Sequence, residues 1–311
     1  MINVQENVIL APYTTFKIGG PAKYFVEVKN ENELKESLEY ALKNKLDFFV
    51  LGGGSNVLVS DQGFDGLVIQ FKNAECEVVD AKIECGAGAT LLKVVRLAAE
   101  NSLTGLEWAA GIPGTIGGAV RGNAGAFGSN MRSLVKKIRA LVKEDDKFIV
   151  KDFTPEECEF EYRNSLFKKN KDLIIVSVSL QLKKGNGAEI QKKTNEIIEE
   201  RNGMHPQGMA SAGSFFINPR VDNSELLKRF EKESGKRFPD NMIPAGWLIQ
   251  EAGLSGEQIG GAMISEKHSN FIVNTGKATA ENVIILSSLI KQKVREKFNV
   301  QLVEEVRFLG F

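Results

Sequence analysis

The hydrophobic pattern resolves first between residues 30 and 51. Leu34, Leu38 and Leu42 recur every fourth position among charged neighbours, the spacing of one helix face. Asn30 with Glu33 supplies the start signal for that helix. Phe48-Phe49-Val50-Leu51 is an unbroken apolar run and reads as a buried strand. It leads directly into Gly52-Gly53-Gly54-Ser55-Asn56. Short β-like segments follow at Gly66–Phe71, Glu77–Val79 and Lys82–Cys85, and then a second glycine turn, Gly86-Ala87-Gly88. Thr90 is placed to cap a helix carrying Leu91, Val94, Val95 and Ala98. Residues 135–182 read mostly as strands, with Ile174, Val176, Val178 and Leu180 in strict alternation. A helix over 188–202 is expected to end at Gly203, where a domain boundary is expected too. Beyond it come a helix around Leu226 and Phe230, another at Trp247-Leu248, the strand Phe271-Ile272-Val273, and a long helix from about Thr279 to Phe298. The chain closes on a β-like Leu302–Leu309. This is a mixed α+β order, without the regular alternation of a nucleotide-binding parallel sheet.

One segment breaks the pattern. Residues 105–128 hold eight glycines in 24 positions, yet a flexible linker would carry serine and charge where this one has Trp108, Ile112, Ile116 and Phe127. Backbone rich in glycine and apolar anchors suits sharp turns and close approach to another group.

Composition narrows the function classes. The 311 residues include 40 basic and 40 acidic side chains, and the thirds 1–100, 101–200 and 201–311 carry −4, +2 and +2. A nucleic-acid binder working by counterion release needs a basic face that none of these provides. The N-terminal residues Met1–Asn7 lack the features of a signal peptide, and no apolar run reaches the ~18 residues of a membrane helix. Cys76, Cys85 and Cys158 form no Cys-x-x-Cys pair, and His205 and His268 do not make a zinc site with them. The expectation is a soluble cytoplasmic protein with no metal, no nucleic-acid partner and no membrane insertion.

A glycine turn after a strand gathers backbone N–H groups toward one point, which suits a pyrophosphate. At Gly52, Gly53 and Gly54, with Ser55 and Asn56 beside them, a simple structural turn and a phosphate cradle are both open readings. The run is not a Rossmann fingerprint, since position 57 is Val. Gly276-Lys277 is not a P-loop. Two further glycine segments favour an extended dinucleotide, and a flavin dinucleotide meets that demand.

Read in order, the motifs carry a resemblance. They are Thr15-Phe-Lys-Ile-Gly-Gly20, Leu51-Gly-Gly-Gly-Ser-Asn56, Gly105-Leu-Glu, Gly111-Ile-Pro-Gly-Thr-Ile-Gly-Gly-Ala119 and Asn123-Ala-Gly-Ala-Phe-Gly128. Tyr162-Arg-Asn-Ser-Leu-Phe167, Ala212-Gly-Ser-Phe-Phe216 with Asn218-Pro219, and Ala245-Gly-Trp-Leu-Ile249 continue it. Gly253-Leu-Ser-Gly256, Gln258-Ile-Gly-Gly-Ala262, Lys267-His268 and Glu305-Val306 complete it. The chain resembles the UDP-N-acetylenolpyruvoylglucosamine reductase family over nearly its whole length, in its shorter class without the extra capping loop. The resemblance implies an FAD-binding domain of the vanillyl-alcohol-oxidase/PCMH type in two parts, 1–75 and 76–203. A smaller α+β substrate-binding domain would follow at 204–311, its final strand returning to the active site. It implies non-covalent FAD, NADPH as hydride donor, a monomer, and reduction of UDP-N-acetylglucosamine enolpyruvate to UDP-N-acetylmuramate for peptidoglycan.

In that chemistry a hydride reaches the terminal enol carbon and leaves carbanion character beside a carboxylate, which must be stabilised and protonated away from water. By resemblance Ser214 is the proton donor. By itself a Ser after Gly reads first as a turn residue; a nucleophile is the other reading, but no Gly-x-Ser-x-Gly elbow frames it. Glu305 matches the acid beside the substrate carboxyl, with Glu304 as its solvent-facing neighbour by strand alternation. Arg163 matches an arginine at the enol carboxylate, a geometry its planar fork suits, where position alone would read as a surface charge near Lys168, Lys169 and Lys171. Asn218 and Gln258 match sugar-nucleotide contacts. The expected FAD contacts are Gly52, Gly53, Gly54, Ser55, Asn56, Gly111, Ile112, Pro113, Gly114, Thr115, Gly118, Asn123, Ala124 and Gly125. Three positions depart from the family pattern: Glu304, often Pro; Ile217, often Lys; and His205, commonly Gln. The rival readings are an FAD oxidase or dehydrogenase on the same scaffold, disfavoured by the lack of His or Cys tethers in 1–75, and a non-catalytic binding module.

Overall fold

The computed structural model describes residues 2–311. The chain divides into two compact units. The first comprises the residues up to Val8, Ala22–Gly53 and Phe64–Gly203; the second comprises Ile9–Pro21, Gly54–Gly63 and Met204–Phe311.

Within the first unit, the helix Glu31–Lys43 forms where its stripe and cap require it. The Asn30 side chain accepts from the Glu33 N–H at 2.9 Å, and Leu34, Leu38 and Ala41 are fully buried. This helix is the crossover between the strands Pro21–Val28 and Phe48–Leu51, which pair in parallel with either side of Phe64–Phe71. Leu67, Val68 and Ile69 are all buried, the continuous pattern of a strand covered on both faces. A second, five-stranded antiparallel sheet runs in the order Lys147–Phe153, Val135–Glu144, Leu173–Gln181, Lys82–Gly86, Cys76–Val79. The alternation expected for its central strand is incomplete, because Ile175 and Ser179 are buried along with Ile174, Val176, Val178 and Leu180. That strand has partners on both edges, and the short helix Ile116–Arg121 packs on it. The helix expected to end at Gly203 runs over Gly187–Met204.

The second unit is built on an antiparallel sheet in the order Ala210–Ser214, Phe271–Asn274, Ala262–Ile264, Gln258–Ile259. The long helix Ala280–Phe298 opens with a capping box between Thr279 and Asn282. The Asp61 carboxylate adds a second cap, accepting from the N–H groups of Ala280 (2.9 Å) and Glu281 (3.1 Å). Its buried face, Val283, Leu286, Ile290 and Val294, packs with Phe215, Phe216, Leu248, Ile264 and Ile272. Phe16, Ile18 and Leu58 join the same core, which explains why two early segments belong with the C-terminal third. The expected terminal strand is shorter than its β-like pattern: Glu304 bridges Phe216, and only Arg307–Leu309 pairs along its length, in parallel with Val57–Val59.

Candidate active site

Three glycine segments of the first unit lie against one another. Gly117 N–H donates to Ala87 O at 2.9 Å, Ile116 N–H to Ala89 O at 2.8 Å, and Leu91 N–H to Gly114 O at 3.0 Å. A Cβ on Gly53 would stand 2.9 Å from Gly114 Cα, one on Gly52 2.6 Å from Thr115 Oγ1, and one on Gly117 2.7 Å from Ala87 Cβ. These glycines are therefore required by packing between the loops. Gly118 is different. It is exposed, and the nearest atom to an added Cβ is Thr115 Oγ1 at 3.5 Å, an ordinary contact. Its missing side chain leaves open a space that the protein itself does not need.

The helix Ile116–Arg121, which begins here, is absent from any propensity reading of Gly117-Gly118. It is held by the Thr115 hydroxyl, which accepts from Gly118 N–H at 3.3 Å, and by the fit of Gly117 on Ala87. Gly105-Leu-Glu is pinned by a buried carboxylate: Glu107 accepts from Thr104 Oγ1 (2.5 Å) and Gly105 N–H (2.9 Å). Burial pushes this acid up, but those hydrogen bonds outweigh it and hold it below the usual carboxylate range. Gly111 and Pro113 are exposed and Ile112 half-buried. Asn123 is 5% exposed and its amide is used inside the fold, Nδ2 donating to Glu161 O (2.8 Å) and Oδ1 accepting from Arg132 N–H (3.0 Å). Ala124 is bonded through its backbone to Ala119 and Met131, and Gly125 O accepts from Arg163 Nη2 at 3.0 Å.

Arg163 sits at the tip of a turn that Glu161 and Asn164 close, at φ +55°, with Ser165 Oγ anchoring the motif to Arg121 O at 2.7 Å. A positive φ on a non-glycine residue is a local strain often found at functional positions. Its neighbour in charge is Arg201, which the sequence reading did not single out. Burial, and then the Arg163 charge, push the Arg201 guanidinium below its usual range. Arg201 Nε is buried with no hydrogen-bond partner among the described residues. Two cations in one partly desolvated place, one with an orphaned donor, suit an anion. The signal was hidden because Arg201 reads as one more charge near the end of an ordinary helix.

In the second unit the residues that follow Ser214 pair with the segment that contains Glu305. Ser214 ends the strand Ala210–Ser214, immediately after Gly213 at φ +78°. Phe215 O accepts from Glu305 N–H at 2.8 Å, Ile217 N–H donates to Val303 O at 2.9 Å, and Phe216 bridges Glu304. Glu304 is turned to Lys291 on the long helix at 2.7 Å. The Glu304 expected to face solvent is instead only 22% exposed on its side chain. Gly54 and Asn56 belong to this unit. Gly54 adopts φ +62°, and Asn56 Nδ2 donates to Glu305 O at 3.2 Å. Asn56 thus braces the Glu305 backbone, with Ser55 half-buried beside it. Asn218 Oδ1 accepts from Ala245 N–H at 3.0 Å. Gln258 lies on the opposite edge strand of the sheet from Ser214, three strand spacings, about 14 Å, across the sheet and in register with Ser211. There it borders a cavity of about 540 Å³ with Lys277 and Asn282. His205 stacks on Phe271 at 5.1 Å, next to His268 at 5.4 Å.

Comparison with known proteins shows the family. A family model described as FAD binding domain matches residues 22–146, and one described as UDP-N-acetylenolpyruvoylglucosamine reductase, C-terminal domain, matches 205–309. A curated UDP-N-acetylenolpyruvoylglucosamine reductase of Anoxybacillus flavithermus is 39% identical over 99% of this chain and 94% of its own. The chain belongs to the UDP-N-acetylenolpyruvoylglucosamine reductase family. The reductase of Solibacter usitatus is 35% identical over 99% of this chain and 97% of its own. The crystal structure of the reductase from Thermus caldophilus superposes with a TM-score of 0.76 at 34% identity, covering 99% of this chain and all of that one. The chain is accordingly a flavin-dependent oxidoreductase of peptidoglycan precursor synthesis, built from an FAD-binding domain and the family's C-terminal domain, with FAD and NADPH as cofactors. The glycine backbone is compatible with a flavin nucleotide: Gly118 is exposed, and a Cβ there would meet only Thr115 Oγ1, at 3.5 Å. Among the described residues no helix is long and apolar enough to cross a membrane, and no cluster of His, Cys, Asp or Glu is placed to hold a metal ion.

Proposed function

We propose that the chain reduces the enolpyruvyl ether of a UDP-N-acetylglucosamine, with Ser214 protonating the carbon next to the carboxylate and Glu305 and Arg163 stabilising the enolate. The observation that supports this reading is that Glu305 N–H donates to Phe215 O at 2.8 Å, on the residue that follows Ser214. FAD, reduced by NADPH, supplies the hydride when bound. The protein's own task is then electrostatic. A serine hydroxyl is a poor acid, but a carbanion is base enough to take its proton. Glu305 shares a proton with the developing carboxylate charge, and Arg163 meets that charge with a planar pair of donors. Arg201, buried and partnerless at Nε, joins Arg163 in holding an anionic group. Gly52, Gly53, Gly111–Thr115, Gly118 and Ala124-Gly125 line the flavin nucleotide, and Asn218 and Gln258 contact the sugar nucleotide from 204–311. The enzyme works as a cytoplasmic monomer on small molecules alone.

The neighbouring acids test this reading. Glu305→Gln should leave flavin reduction by NADPH intact and slow reoxidation by the enolpyruvyl substrate roughly 10²–10⁴-fold, the usual range for acid–base groups. Glu304→Gln only loosens a partly exposed pair with Lys291, worth about 1 kcal/mol or less, and should turn over normally. Reversed effects would assign the role to Glu304.

A further inference from the structure

The strand that delivers Ser214 has no regular ladder on its far side. Its pairing with Phe271–Asn274 is irregular between Ser211 and Ser214, and Gly213 adopts φ +78°. The next two residues are held by one buried residue, Phe215 by its backbone and Phe216 by its side chain. Asn270, 4% exposed, takes the Phe215 N–H on its backbone oxygen at 2.7 Å. Its Oδ1 accepts from Phe216 N–H at 2.9 Å, and its Nδ2 donates to Phe216 O at 2.8 Å. A carboxamide presents a donor and an acceptor side by side, as a peptide group does. Asn270 therefore substitutes for a missing strand neighbour at Phe216. The opposite edge of the same two residues carries Glu304 and Glu305.

We propose that Asn270 is a positioning residue for the proton transfer. Clamping Phe215-Phe216 fixes where the Ser214 hydroxyl stands relative to Glu305. The proposal rests on Ser214 being the proton donor. An amide serves here where a hydrophobic residue would not, because Phe216 N–H and C=O are buried and would otherwise lack partners. Removing the clamp leaves the loop free to shift, and a displacement of about 1 Å at a reacting group slows a step on the order of 10²-fold.

The test uses the FAD-loaded enzyme in anaerobic half-reactions. Asn270→Ala should keep flavin reduction by NADPH within about twofold, leave substrate affinity for the oxidised enzyme within about threefold, and slow substrate-driven reoxidation on the order of 10²-fold. Asn270→Asp keeps the acceptor, and its carboxyl regains the donor once protonated. Its reoxidation rate should climb toward wild type as pH is lowered, relative to Asn270→Ala at each pH. This variant carries the test alone if Asn270→Ala fails to retain FAD. Equal losses in both half-reactions, or reoxidation at the wild-type rate while Ser214→Ala is slow, would overturn the positioning role and leave Ser214 in place. Fast reoxidation in Ser214→Ala itself would instead overturn the donor assignment on which the proposal rests.

Discussion

Two adjacent glycines should respond in opposite ways to the same methyl group. A Cβ at Gly118 meets nothing closer than Thr115 Oγ1 at 3.5 Å, whereas one at Gly117 meets Ala87 Cβ at 2.7 Å and Ala87 O at 2.9 Å. Both lie within the helix Ile116–Arg121, where Ala is favoured over Gly by up to about 1 kcal/mol. Gly118→Ala should therefore leave the flavin-free protein as stable as wild type or up to about 1 kcal/mol more so. Gly117→Ala must push the Ala87 loop back by nearly 1 Å to restore a normal carbon contact, an overpacking cost of about 1–3 kcal/mol. If Gly118 lines the cofactor, its methyl incurs that overpacking cost only when FAD binds, weakening affinity about 5- to 150-fold. Thermal melts of the flavin-free variants and FAD titrations followed by flavin fluorescence separate the two effects. Wild-type FAD affinity in Gly118→Ala would refute the cradle, and destabilisation of its flavin-free form would refute the packing argument.

Two further outcomes follow from buried charge and thiol geometry. Arg201→Gln should raise KM for the anionic ligand at that site at least about tenfold, because a desolvated charge pair with its ligand is worth several kcal/mol when one side is removed; steady-state titration of NADPH and substrate identifies which ligand is affected, and unchanged constants for both would remove Arg201 from the site. Cys76 and Cys85 face each other across antiparallel strands, and a hydrogen bond from Cys85 lowers the Cys76 thiol to about 7 while the buried Cys85 is pushed up. Because the thiolate is the reactive form, alkylation should modify Cys76 first, with a rate rising through pH 7 and levelling above it; mass mapping that finds Cys85 or Cys158 first would contradict this.

The parts legible in the sequence are those decided locally. Asn30, Glu33 and the leucine stripe fix the first helix because cap and period lie within thirteen residues. The glycine segments were legible as places of close approach, but only the fold separates Gly117, needed by Ala87, from Gly118, which the protein can fill. Long-range contacts account for the rest. The early segments 9–21 and 54–63 join the C-terminal unit through Phe16, Ile18 and Leu58, whose burial no local pattern announces. Glu304 is tied to Lys291 on a helix, and Asn56 meets Glu305 across 249 positions. Motif resemblance alone points to Ser214 and Glu305; that Glu305 N–H bonds Phe215 O, one residue past Ser214, is a long-range contact no local pattern announces.

The most direct test of the account is anaerobic stopped-flow of Ser214→Ala with its flavin in place. NADPH should bleach the flavin at the wild-type rate, while the enolpyruvyl sugar nucleotide should reoxidise it on the order of 10²–10⁴-fold more slowly. Reoxidation at the wild-type rate, or an equal loss in both half-reactions, would contradict the account.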